Sequence, residues 1–157
     1  MGKADTADGA TNLSPYVGGG RNGFYVYRSD MSLAPAMLPP APMTAVTIYV
    51  LHPGAAPDFI AAIKKVNEAL GRQADWPKTS GWLQLANGGE GPTFVLLTNR
   101  KNWADFVPLP KSVADVLTEV DGKEMSDQIQ KTIRDSTAHL FTETAAYRAD
   151  LGYAPGK

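Results

Sequence analysis

Between Thr44 and Tyr147 the sequence changes hydrophobic period four times, and that order constrains the fold more than any single motif. Thr44 to Leu51 alternates as a strand, with Val46, Ile48 and Val50 on one face. His52-Pro53-Gly54 breaks it, and Pro57 suits the first turn of a helix. Phe59, Ile63, Val66 and Leu70 then recur at +4, +3 and +4, one stripe of an amphipathic helix, with Gly71 placed as its C-terminal cap. Gly81 to Ala86 and Thr93 to Thr98 read as two strands joined by the hairpin loop Asn87-Gly88-Gly89-Glu90-Gly91. Asn102 to Phe106 reads as a helical turn. Ser112 and Asp115 form a capping box that opens a helix carrying Val113, Val116, Leu117 and Val120. Asp121-Gly122 interrupts it, and Met125, Ile129 and Ile133 mark a second helical stretch. A last strand runs from about His139 to Tyr147. The order β-α-β-β-α-β predicts a ferredoxin-like α+β unit, four antiparallel strands with the helices on one face.

Composition narrows the function classes. Fifteen Lys+Arg against sixteen Asp+Glu leave a net charge of −1, so nucleic acid and membrane are not expected partners. There is no cysteine and there are two histidines, which removes thiolate chemistry and leaves little for a metal site. No metal and no cofactor is expected. The opening residues lack the apolar stretch of a signal peptide, and the compartment stays undecided. Met1 to Thr6 fits a myristoylation pattern only by the letter.

The chain before Thr44 divides in two. Residues 1–23 are Gly-rich and read as flexible, and Gly18-Gly19-Gly20-Arg21-Asn22-Gly23 satisfies G-x-G-x-x-G without the strand and helix a dinucleotide site needs. Residues 24–43 hold an extra strand, Phe24 to Arg28, and a linker with Pro35, Pro39, Pro40 and Pro42. Residues 44–157 are the α+β domain. Tyr27 to Pro35 matches Tyr147 to Pro155 at five of nine positions, an offset of 120 residues. That internal repeat predicts residues 24–43 to be the remnant of a preceding copy, the alternative being two unrelated strand exits, and its orphan strand is expected to pair with a sheet edge, of its own unit or of a partner chain. In both copies the Tyr-Arg-x-Asp run places a guanidinium beside a carboxylate. The two readings are a local ion pair at the chain exit and an arginine that receives an anionic ligand.

The strand Val46-Thr47-Ile48-Tyr49-Val50, then His52-Pro53-Gly54, then a helix from Asp58-Phe59, resembles the dimeric α+β barrel superfamily. That superfamily includes the antibiotic-biosynthesis-type monooxygenases and the NIPSNAP-like proteins. Asn102-Trp103 after the third strand adds to the resemblance, which covers about residues 44–150. It implies a homodimer, or pairing with a second ferredoxin-like unit, in which two sheets face each other around a cavity. Any enzymatic activity it implies is that of a cofactor-independent monooxygenase. Strand alternation agrees that both sheet faces are apolar: Trp82 and Gln84 share one face, Leu83 and Leu85 the other.

Tyr49, Trp82 and Gln84 are therefore candidates to line a cavity holding a small aromatic or lipophilic ligand. His139 and Glu143, sharing a strand face with Phe141, are candidates as a base with its carboxylate, or as a haem ligand. His52 is expected to close its turn, and Trp103 to sit in the core or an interface. The alternative to a ligand-holding barrel is a non-enzymatic interaction module.

Overall fold

The computed structural model describes Thr11, residues 22–34 and residues 36–148. The Met1–Thr6 pattern, most of the Gly-rich segment with its G-x-G-x-x-G run, and the repeat beyond Arg148 lie outside the described residues.

The chain is α+β. Five strands, β1 (Gly23–Tyr27), β2 (Met43–Leu51), β3 (Ser80–Gly88), β4 (Thr93–Arg100) and β5 (Thr137–Ala146), form one sheet in the order β1-β3-β4-β2-β5. Every neighbouring pair is antiparallel. Among the described residues three helices accompany it: α1 (Ala56–Gly71), α2 (Val113–Asp121) and α3 (Lys123–Ser136). No described helix is long and apolar enough to cross a membrane.

Local chemistry accounts for the element ends. The Ser112 side chain accepts the Asp115 N–H at 3.1 Å, and the Asp115 carboxylate accepts the Ser112 N–H at 2.9 Å, closing the expected capping box of α2. The Ser112 N–H, then the Ser112 hydroxyl donating to the same carboxylate at 2.8 Å, with Lys111 nearby, hold the Asp115 carboxyl below the usual carboxylate range. Gly122, at φ +84°, ends α2 and starts α3, a backbone turn that a side chain would resist. Gly71 does not act as the expected left-handed cap. It stays inside α1, and the helix closes through a tighter last turn in which Arg72 N–H donates to Ala69 O at 3.2 Å.

The orphan strand finds its edge within the same chain. β1 pairs with β3, Tyr25 opposite Leu85 and Tyr27 opposite Leu83. The Tyr27 hydroxyl shares its proton between the carbonyls of Ala34 and Ala36, at 2.9 and 2.8 Å. Just past β1, Met31 is fully buried among Leu51, Phe59, Ile63, Trp82 and Phe94. The segment from Gly23 to Met31 is therefore structural, and Met31 belongs to the same core as the domain that follows it.

Two apolar clusters make up the core. One lies among the helices, around Ala62, Val66, Leu70, Val116, Leu117 and Ile129. The other lies between α1 and the sheet, around Phe59, Trp82 and Phe94. Ile133 of α3 packs against both. Register then assigns the opposite sheet face to Val46, Ile48, Val50, Leu83, Leu85, Val95, Leu97 and Phe141. Neither cluster includes a residue of that face.

Candidate functional site

Four aromatic rings interlock where α1 meets the sheet. Phe59 lies 5.3 Å from Tyr49, 5.8 Å from Trp82 in an edge-on arrangement, and 5.3 Å from Phe94. Tyr49 and Trp82 are also 5.4 Å apart. Phe59 supports Tyr49 and Trp82 from behind, and those two rings form part of the wall of a cavity of about 340 Å³ between sheet and helices. Ile63, Val66 and Leu70 close it from α1, and Trp76 and Leu109 from the connecting segments. A volume near 300 Å³ is the lower end of what small-molecule sites occupy. Burial pushes the Tyr49 phenol pKa up, so this hydroxyl stays protonated in the neutral range.

Polar groups enter the cavity at few points. Thr98 and Arg100 continue the strand face that carries Phe94 and Leu96, because alternate residues of β4 point the same way. Asn67 of α1 lines it too, its amide donating to the Met31 carbonyl. The Arg100 guanidinium lies over the Phe106 ring, 5.7 Å from its centroid. Its Nε is buried and has no hydrogen-bond partner among the described residues. A wider groove of about 480 Å³ between α3 and β5, lined by Tyr49, Ile133 and Leu140 among others, is more open to solvent.

The five residues expected to share one cavity fall on two sides of the sheet. Tyr49 and Trp82 face the helices and line the cavity described above. Gln84 is on the same side but outside that lining; it accepts a hydrogen bond from Arg28 Nη1. His139 and Glu143 are exposed on the opposite face, opposite Val50 and Val46 in the register. A space between two facing sheets would thus meet His139 and Glu143, whereas the aromatic pair lines a space inside one chain. Sequence alternation separates the two faces of a strand but does not say which face the helices take, since both are apolar.

Other expectations resolve locally. Arg28 and Asp30 form the ion pair at the strand exit, 2.8 Å, and Lys64 of α1 adds a second contact to the same carboxylate at 2.8 Å. The bond from Arg28, then that from Lys64, hold the Asp30 carboxyl far below its usual range. His52 closes its turn through the main chain: its N–H donates to Ser136 O at 2.9 Å and its carbonyl accepts from Ala55 N–H at 3.1 Å. Trp103 is not a core residue of this chain: it is 69% exposed and stacks on Phe106 at 5.3 Å. The short helical turn it begins is held by Asn102, whose side chain accepts the Ala104 N–H at 2.8 Å. Among the described residues, no cluster of three or more His, Cys, Asp or Glu could hold a metal ion.

Arg100 was not singled out by motif reasoning. The signal was present: counting on from Phe94 by twos along the strand reaches Leu96, Thr98 and Arg100. No family model, curated protein or solved structure matches the chain.

Proposed function

We propose that this chain is a small-molecule-binding module of ferredoxin-like topology, and that its ligand is an aromatic or lipophilic molecule held between the sheet and the helices. The observation that carries the reading is the cavity of about 340 Å³ walled by Tyr49, Trp76 and Trp82. Rigid rings on one side and aliphatic side chains on the other suit a flat apolar body. The test uses the neutral fluorescent probe N-phenyl-1-naphthylamine with the purified chain. Saturable enhancement is expected, and Thr98→Phe, which fills the cavity from β4, abolishes it while the fold is kept. Equal binding by wild type and Thr98→Phe, or none by either, refutes the reading.

A second reading concerns the other sheet face and is supported by its apolar character. Five strands about 4.8 Å apart, with about eight residues each at 3.4 Å, give a footprint of roughly 650 Å². A standard interface buries about 800 Å² per partner, and monomers rarely expose an apolar patch of several hundred. In this reading two copies pack sheet to sheet as a dimeric α+β barrel, with Ile48 near the centre and His139 and Glu143 toward one edge. Sedimentation equilibrium tests it: a dimer is expected for wild type and a monomer for Ile48→Lys. A monomeric wild type refutes it and leaves the cavity reading standing.

A further inference from the structure

We infer that the ligand of the sheet–helix cavity carries a carboxylate, and that Arg100 receives it. The inference rests on that cavity being the binding site. Arg100 is the one charged side chain among the described residues that line the cavity. A guanidinium carries five N–H donors in a planar fork, and a buried donor on a charged group is costly when unmet. Among the described residues Nε is buried and unmet, while the Phe106 ring supports the guanidinium at 5.7 Å.

Two acids of the surrounding segments are engaged elsewhere. Asp105, one residue before Phe106, accepts the Lys101 backbone N–H at 2.7 Å. Asp30 is taken by Arg28 and Lys64. Among the described residues, no Asp or Glu lines the cavity. What would complete Arg100 is therefore an acceptor brought in from solution. A planar carboxylate matches the fork by two parallel hydrogen bonds, whereas a phosphate dianion calls for more than the single cation present. The remaining walls, Tyr49, Trp76 and Trp82, take the apolar body of the same molecule.

The test compares 1-naphthoate with 1-naphthamide, which share a ring system and differ in charge, by titration calorimetry at neutral pH. Wild type is expected to bind naphthoate at least about tenfold more tightly than naphthamide. Arg100→Met is expected to lose that preference, its affinities for the two probes falling within about twofold of each other, with far-ultraviolet circular dichroism reporting that the fold is intact. Arg100→Gln serves the same purpose if the methionine variant does not fold. Equal affinity of wild type for both probes, or a preference that survives removal of the guanidinium, overturns the inference alone. Binding of neither probe overturns the inference and the cavity reading together.

Discussion

Replacing Phe59 by alanine tests whether the interlocked rings are the mechanical support of the cavity. Phe59 is fully buried, so the whole transfer free energy of its ring is at stake, about 1.5–3 kcal/mol. A vacancy adds to this, because neighbours relax only in part, and Phe→Ala changes in cores total about 3–5 kcal/mol. The upper half of that range is expected here. Tyr49, Trp82 and Phe94 stand on three hydrogen-bonded strands and cannot follow the lost ring, and three ring contacts disappear with it. Urea unfolding followed by tryptophan fluorescence is the assay. At a slope of about 2 kcal/mol per molar, a loss of about 4 kcal/mol moves the midpoint down by about 2 M. Phe59→Leu gives a milder loss if the alanine variant is too unstable to purify. A control, Phe141→Ala on the opposite face, is 45% exposed in the single chain and costs about 1 kcal/mol or less by the same area argument. A shift below about 0.5 M for Phe59→Ala, or one no larger than that of Phe141→Ala, would refute the account of the core.

Further outcomes follow from single contacts. Asp30→Asn removes two ion pairs at a partly exposed site, so solvent screening limits the loss to about 1 kcal/mol. Because the folded-state pKa is depressed, that contribution is full above the unfolded value near 4 and fades as pH falls toward the folded value; a gap between wild type and variant that stays constant down to pH ~2 would contradict this. Gly88→Ala places a methyl 2.4 Å from the Asn22 carbonyl at φ +79°, a strain of about 1–3 kcal/mol; hydrogen exchange is expected to speed up in β1 and stay unchanged in α1, and uniform protection throughout would count against it. Tyr27→Phe removes the proton shared by the Ala34 and Ala36 carbonyls and is expected to cost about 1 kcal/mol by urea unfolding.

Much of the fold was legible because its elements announce themselves locally. The stripe Phe59-Ile63-Val66-Leu70 needs only helical spacing, and Ser112 with Asp115 marks a helix start through the donors it satisfies. The pairing of β1 followed from the rule that an exposed strand seeks an edge. Gly71 misled because a glycine after an apolar stripe suits a left-handed cap, while the observed end closes with ordinary right-handed geometry. The site was harder to read. Alternation put Trp82 and Gln84 on one face, yet the side that face takes, and whether Tyr49 shares it, depend on where the helices and strands pack, a tertiary property. Arg100 looks like a charged strand end in Asn99-Arg100-Lys101; its place in the cavity wall and its unmet Nε are set by tertiary packing. Met31 has no local signal either. It becomes core because β1 and the turn after it deliver it against Trp82, whose backbone N–H donates to Ser32 Oγ at 2.8 Å.

The strand order has a consequence for the time course of synthesis. Arg28 meets Gln84 across 56 residues, and Thr47 meets Thr142 across 95. Only the β3–β4 hairpin joins strands that leave the ribosome together. At about 5–20 residues per second, β1 waits about 3–11 s for its partner, and β2 waits longer for β5. During that interval Phe24, Val26 and the alternating apolar run of β2 are exposed to whatever else is nearby. Such a topology is expected to fold slowly and late, with closure of the sheet following the arrival of β5, and refolding rates measured by stopped flow should fall in the range of high-contact-order domains.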